Sequence, residues 1–340
     1  MTISIRRYAS LLLPLVASAF CGHAQDGGTT AYNFLDVSGS SKIYGLGGVN
    51  ISVVDPEDIM TTDQNPALLG PEMSRSIGVG YMRYVGGSNF ASAKFAHAAG
   101  QNGAWSLGLH YFGYGSTKEA LPDGTIVGTF SPSDIAFTGS YSHNLSEYWR
   151  GGFAVKFLYS AYGSYNALAI CTDLGVNYFN EDYDSSLSFV VANLGGQVKK
   201  FIDRADKLPI DVRIGWTKSL GHSPFYLNIT AWNLTKWKLP YWENGDGTSD
   251  PELKNGFVSN LSRHLVFGVE WRPSDRFYVD LGYNYRTRTD LATYSRNFLS
   301  GFSVGAGLKV KAFGVGVAFA QHHKSAATFM VNLTTNLYEF

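Results

Sequence analysis

The feature that most restricts this chain is an alternation. Phe277, Val279, Leu281, Tyr283 and Tyr285 fall on one face of an extended strand, with Tyr278, Asp280, Gly282, Asn284 and Arg286 on the other. Phe302, Val304, Ala306, Leu308 and Val310 repeat the pattern against Ser303, Gly305, Gly307 and Lys309, and Phe313, Val315, Val317 and Phe319 against Ala312, Gly314, Gly316 and Ala318. Earlier stretches, Trp105-Leu107-Leu109-Tyr111 and Phe153-Val155-Phe157-Tyr159, follow the same period of two. One face is greasy and the other small or polar. A soluble sandwich would carry more charge on its outward face. A closed sheet in lipid pairs every backbone donor and acceptor, so only alternate side chains need be apolar. The expectation is an all-β, transmembrane antiparallel β-barrel.

Composition agrees. Of 340 residues, 45% are hydrophobic and 16% charged, which is too little charge for a coiled coil. Lys plus Arg and Asp plus Glu number 27 each, so no basic field invites nucleic acid. Residues 1–24 carry Arg6 and Arg7, the apolar Leu11, Leu12, Leu13, Leu15 and Val16, and then small residues, which reads as a secretory signal peptide with cleavage preferred after Ala24. Cleavage there leaves 25 bases against 27 acids, and Cys171 without a disulfide partner. Beyond it no run of eighteen apolar residues could cross a bilayer as a helix. The histidines show no metal-ligand spacing, and neither a metal nor a cofactor is expected.

Fourteen strands are predicted, at 76–84, 90–98, 105–113, 134–142, 151–161, 165–178, 187–193, 211–218, 225–232, 264–271, 276–285, 302–310, 312–319 and from 328 onward, with twelve or sixteen as the neighbouring counts. The long connections all follow odd-numbered strands, as expected when long loops share one side of a membrane. Tyr81, Tyr84, Tyr111, Tyr159, Trp216 and Trp271 suit aromatic girdles near strand ends. Inward Lys94, Lys156, Asp173, Asp280 and Lys309 predict a polar lumen with internal ion pairs.

Residues 25–75 break the pattern. They contain Gly45-Leu46-Gly47-Gly48 and Asn65-Pro66-Ala67-Leu68, where Pro66 fits the first turn of a short helix and Pro71 can end it. A fourteen-strand lumen is too wide for wall side chains to fill, so this segment is expected to be an N-terminal plug, with a strap outside the rim as the alternative, and 76–340 the barrel. The glycine run is no nucleotide loop, since no Gly-Lys-Ser or Gly-Lys-Thr follows it.

Tyr32-Asn33-Phe34-Leu35, Leu46-Gly47-Gly48, Asn65-Pro66-Ala67-Leu68, Val191-Ala192-Asn193-Leu194-Gly195 and Gly282-Tyr283-Asn284-Tyr285 resemble the PorV/PorQ family of Bacteroidota outer-membrane barrels, with the PorQ branch nearer in length. The likeness covers essentially all of the mature chain and departs at Ser41-Lys42-Ile43-Tyr44. It implies a fatty-acid-transporter-like barrel with a plug, placed in the bacterial outer membrane. It further implies a non-enzymatic scaffold of the type IX secretion system attachment complex, alongside a PorZ-like surface protein, a PorU-like sortase and a PorV-like barrel. Contact with outer-membrane lipids or anionic lipopolysaccharide follows from the same likeness, as does a role for Phe340 as a C-terminal assembly signal.

For such a scaffold, Trp232, Trp237, Tyr241 and Trp242 in the longest loop are the candidate partner interface. Arg286, Arg288 and Arg296 are basic groups able to meet phosphate. The second reading is a transport channel for hydrophobic small molecules. No nucleophile elbow and no spaced carboxylate pair supports an enzyme.

Overall fold

The computed structural model describes residues 30–120, 123, 125–203, 205–221, 223–243, 252–290, 299–323 and 326–339. The leader at 1–24, Arg296 and Phe340 lie outside the described residues.

In chain order the strands are β1 (Ser76–Arg83), β2 (Asn89–Ala99), β3 (Gly103–Gly113), β4 (Thr117–Ala120), β5 (Ile126–Phe130), β6 (Ser133–Asn144), β7 (Trp149–Tyr162), β8 (Tyr165–Asn180), β9 (Ser185–Lys199), β10 (Asp211–Ser219), β11 (Phe225–Ala231), β12 (Tyr241–Glu243), β13 (Glu252–Lys254), β14 (Leu265–Ser274), β15 (Phe277–Asn284), β16 (Phe302–Val310), β17 (Phe313–His323) and β18 (Ala326–Asn336). Fourteen of them close into one antiparallel barrel, while β4–β5 and β12–β13 form two separate hairpins. β1 pairs with β18 from Ser76 opposite Asn336 to Arg83 opposite Phe329, which leaves the ring without a free edge.

The alternation sets which side chains face out. Leu107, Phe157, Leu281, Val304 and Phe319 are all exposed on the outer surface. Tyr81, Tyr111, Tyr159, Trp216 and Trp271 join them, but Tyr84 does not. β1 ends at Arg83, and Gly86 and Gly87, both at positive φ, fold the chain back over the rim. The Tyr84 ring therefore turns inward, 5.6 Å from Phe112 and 5.8 Å from His322.

β9 is also longer than its pattern suggested. Asn193 sits at φ 58, and the pairing with β8 shifts register between Thr172 and Leu174, so the period of two is broken there although the strand runs on to Lys199. At its end, β15 passes straight into the short helix α3 (Tyr285–Asp290), preceded in the chain by α1 (Ser41–Gly45) and α2 (Phe257–His264).

The long connections leave the ends of β3, β9, β11 and β15 at one edge of the barrel, while the turns at 275–276 and 311–312 lie on the other, beside the start of β1 and the end of β18. Residues 30–75 occupy the interior between these edges. Ala31 N donates to Lys207 O (3.0 Å) at the long-loop edge, and the segment joins β1 at the opposite one.

Short turns build this segment because capping side chains replace sheet partners. Ser40 Oγ accepts from Ile43 N (3.4 Å), Asp58 Oδ1 from Met60 N (2.9 Å) and Asn65 Oδ1 from Ala67 N (2.9 Å), and Pro66 and Pro71 open the two turns that follow. Its apolar residues supply much of the core: Ile59, Met60, Leu69 and Met73 meet Ala96 and Ala104, Ile51 meets Val190 and Ala192, and Tyr32 and Phe34 join Phe90, Phe112 and Leu158.

The inward glycines have a steric role. A Cβ on Gly282 would lie 2.1 Å from Gly47 N, and one on Gly152 would lie 2.5 Å from the Pro66 carbonyl carbon. Backbone meets backbone at both places, so the wall is thinned where the segment crosses it.

Candidate functional site in the lumen

Buried charges fix the segment to the wall. Lys94, on β2, donates to Asp63 (2.9 Å) and to Thr62 Oγ1 (2.6 Å), with His110 Nε2 3.2 Å from the same carboxylate. Burial alone would raise the Asp63 carboxyl, but Lys94 and His110 outweigh it and hold it below the ordinary carboxylate range. Lys42, on α1, reaches Asp55 (2.6 Å) and Glu270 (3.1 Å), and Glu270 also receives Arg272 Nε (2.6 Å). Burial works against ionising Asp55, yet Lys42 and Arg272 hold it at about 2. For Asp58, burial, reinforced by Asp55, outweighs the Met60 amide and the more distant Lys42 and pushes it up to about 7. Lys309 reaches Glu57 at 2.7 Å near the short-turn edge.

Lys156 bonds within the wall, to Asp173 (2.6 Å) and Asn193 Oδ1 (3.0 Å), where it spans the irregular register of β8 and β9. Asp280 faces Glu270 across the β14–β15 ladder, and neither of its buried carboxyl oxygens has a hydrogen-bond partner among the described residues. Sequence reasoning passed over two further groups. Arg213 bridges Asp211 (2.7 Å) and Asp36 (2.5 Å), and Asp134 accepts from Tyr114 (2.5 Å), Tyr162 (2.9 Å) and Ser160. Charges at alternate positions 211 and 213 of one strand were the available signal.

Two cavities lie along the β14–β18 side. The outer one, about 180 Å³, is walled by Tyr44, Tyr84, Trp232, Phe302 and His322 beneath the long loops. Tyr44 OH bonds Thr328 Oγ1 (2.6 Å) and His322 Nε2 (2.8 Å), which sets its ring as the cavity floor. The inner one, about 480 Å³, is bounded by Ser41, Lys42, Asp55, Tyr278 and Thr334 and reaches the short turns at Arg276 and Ala312. On the opposite side, a space of about 20 Å³ lies beside Lys94 and His110.

Gly45 packs on Gly305 and Leu46 on Gly268, while Gly47 and Gly48, at φ 105 and 85, turn the chain off the wall between the two cavities. Asn65-Pro66-Ala67-Leu68 is seated on Gly152 and Gly175, with Asn65 Nδ2 donating to Ile51 O (2.8 Å). The loop aromatics diverge. Trp232 lines the outer cavity, with Arg286 4.9 Å above its ring. Trp237 stacks on His264 (5.1 Å), Tyr241 OH bonds Tyr285 OH (2.8 Å), and Trp242 is exposed on β12.

The fold is similar to that of solved hydrocarbon channels. The toluene transporter TbuX of Ralstonia pickettii aligns at TM-score 0.54 and 11% identity, over 89% of this chain and 98% of that one. The toluene transporter TodX of Pseudomonas putida aligns at 0.54 and 10%, over 88% and 97%. A FadL homologue of Pseudomonas aeruginosa aligns at 0.50 and 12%, over 88% and 98%. No protein-family model matches the chain, and no curated protein matches it in sequence.

These findings correct the PorV/PorQ assignment. Solved barrels that share the architecture include two toluene transporters, and the type IX scaffold role and the PorZ-, PorU- and PorV-like companions fall with the assignment. The physical reason lies in the quoted motifs. Leu46-Gly47-Gly48 and Asn65-Pro66-Ala67-Leu68 satisfy contacts between an inserted segment and glycine-thinned strands, a requirement of this architecture whatever the barrel does. What stands is a fourteen-stranded antiparallel barrel with a fold similar to that of solved transporters.

Proposed function

We propose that the chain is an outer-membrane transport channel for hydrophobic small molecules, with residues 30–75 as its plug and residues 1–24 as the export signal. The observation that carries this reading is the aromatic cavity of about 180 Å³ beneath the long loops. It is comparable with the ~150 Å³ apolar cavity that takes up benzene. Its rings give a flat apolar guest close contact, the Tyr44 hydroxyl is bonded to Thr328 and His322, and Asp36, Asn284 and Gln321 are polar residues of the same lining. The architecture shared with toluene transporters supports the same substrate class.

The test compares uptake of labelled toluene by intact cells carrying the protein, carrying Ala320→Trp, which fills the outer cavity, or carrying an empty vector. The native chain should accelerate uptake, and the variant, at equal barrel yield, should not. Uptake no faster than the vector's overturns the reading.

A further inference from the structure

The helix in the long connection between β11 and β14 is built inside out. A helix bathed by water packs its apolar stripe inward and turns its polar face to solvent. In α2 the buried side chains are Asn260, Arg263 and His264, while Phe257 and Val258 are 66% and 73% exposed. Phe257, Leu261 and Leu265 recur at every fourth position with Val258 beside them, so the apolar residues form one stripe.

The polar face is turned toward the mouth of the barrel, and its bonds hold it there. Asn260 Oδ1 accepts from Leu239 N (2.9 Å), His264 Nδ1 lies 2.8 Å from Trp232 O, and Arg263 reaches Asp290 of α3. Trp232 and Thr287, the latter also on α3, wall the outer cavity, so the bonded side of α2 is its lumen side. The stripe therefore looks away from the lumen.

Below α2 the stripe runs into the outer wall. Leu265, the residue that follows the helix, pairs with Ala231 of β11, and Phe267, two positions on and exposed on the same face, pairs with Ile229 and Tyr283. Trp237 closes the patch from the side, with its half-exposed ring 5.5 Å from that of Phe257. Residues 257–265 include no acid, so the helix carries no carboxylate that would repel anionic headgroups.

We propose that α2 lies in the outer leaflet of the membrane, with Phe257, Val258 and Leu261 against lipid acyl chains and Trp237 at the headgroup level. This rests on the outer-membrane reading of the barrel and adds a lipid contact made by a loop rather than by a strand. Interfacial helices bury their apolar face only ~5–10 Å below the headgroups, a depth that a helix standing directly on the rim of the wall reaches without leaving its loop. An indole beside it suits the boundary where the hydrocarbon layer gives way to water.

The experiment uses the full-length protein with Cys21→Ala and Cys171→Ala, carrying a single nitroxide at Val258→Cys, in phosphatidylcholine vesicles. Electron paramagnetic resonance reads its collisions with oxygen, which concentrates among acyl chains, and with a water-soluble nickel chelate. Phe267→Cys on the wall and Lys118→Cys on the exposed strand β4 calibrate the scale. The oxygen-to-nickel ratio at Val258 should lie with that at Phe267 and well above that at Lys118. Adding Phe257→Ser and Leu261→Ser should lower it toward the Lys118 value.

A Val258 ratio equal to that at Lys118 overturns the proposal, because the helix then stands in water. Rare collisions with both reagents also overturn it, because protein then covers the stripe. A ratio that the two serines leave unchanged counts against it as well. If Phe267 itself reads as water-exposed, the membrane placement fails and the helix proposal falls with it, an outcome distinct from failure at Val258 alone. A Val258 label that lowers barrel yield is replaced by one at Phe257→Cys, judged on the same scale.

Discussion

Replacing Lys94 by Met tests whether buried charge holds the N-terminal segment in place. The two partners are almost entirely enclosed, with side-chain exposures of 4% for Lys94 and 5% for Asp63. Removing the cation strands a carboxylate in a dry interior, which costs about 3–5 kcal/mol for a fully buried pair. His110, 3.2 Å away, stays to offset part of that, so the lower end, about 3 kcal/mol, is expected. At 1.36 kcal/mol per tenfold, this is roughly a hundredfold rise in the population with the segment released.

The barrel ladder does not depend on this contact. The effect should therefore appear in amide exchange at Ile59–Asp63, with the strand amides keeping their protection. Lys94→Met with Asp63→Leu removes both charges and should recover most of the loss. The pH dependence follows from the lowered Asp63 carboxyl: its contribution is complete above the ordinary value of 3.8 and is lost only as the pH falls toward the native value. The native segment should hence remain docked at pH 5. A Lys94→Met protein whose exchange rises less than about threefold, the range of an exposed pair, refutes the reasoning, as does a double variant no better than the single one.

Asp58 runs the other way. Its native carboxyl, raised to about 7, binds its proton more tightly than in the unfolded chain, so its stabilisation is present in acid and drains away as pH rises from 3.8 through 7. Asn at this position keeps the capping oxygen, and the decline in segment protection between pH 5 and pH 8 should flatten; an unchanged slope counts against the assignment. Gly282→Ala places a Cβ 2.1 Å from Gly47 N, with no flexible side chain to yield. It should lower the unfolding midpoint by the equivalent of about 1–3 kcal/mol. Gly196→Ala, with open space around it, should stay within about 0.5 kcal/mol, and equal effects at the two sites would contradict the steric account.

The barrel was legible because its rule is local. Phe277 to Tyr285 and Phe302 to Val310 show their lipid-facing residues by position alone, and an even strand number follows from where the long connections fall. Legibility failed where a rule was interrupted. Asn193 at positive φ hid the second half of β9, and the glycines at 86 and 87 turned Tyr84 away from the girdle it was expected to join. The candidate site was harder still.

Nothing in the pattern around Tyr44, Trp232 and His322, far apart in sequence, announces one cavity, since only the closure of the ring brings them together. The glycines of β14–β17 carried a signal that went unread. Alternation says that they face inward, and only the contacts say that they mark where residues 41–48 rest. The family resemblance failed for the same reason, since shared packing demands were taken as shared duty.

The seam between β1 and β18 constrains the order of events in biogenesis. Residues 30–75 enter β1 at one rim and reach the other, with Tyr32 and Phe34 wedged among inward side chains. Once Ser76–Arg83 has zipped onto its partner strand, a closed hoop offers no slit through which such bulky rings could be threaded. The leading stretch can therefore take its place only before the seam closes or end-on past the rim, never sideways through the wall.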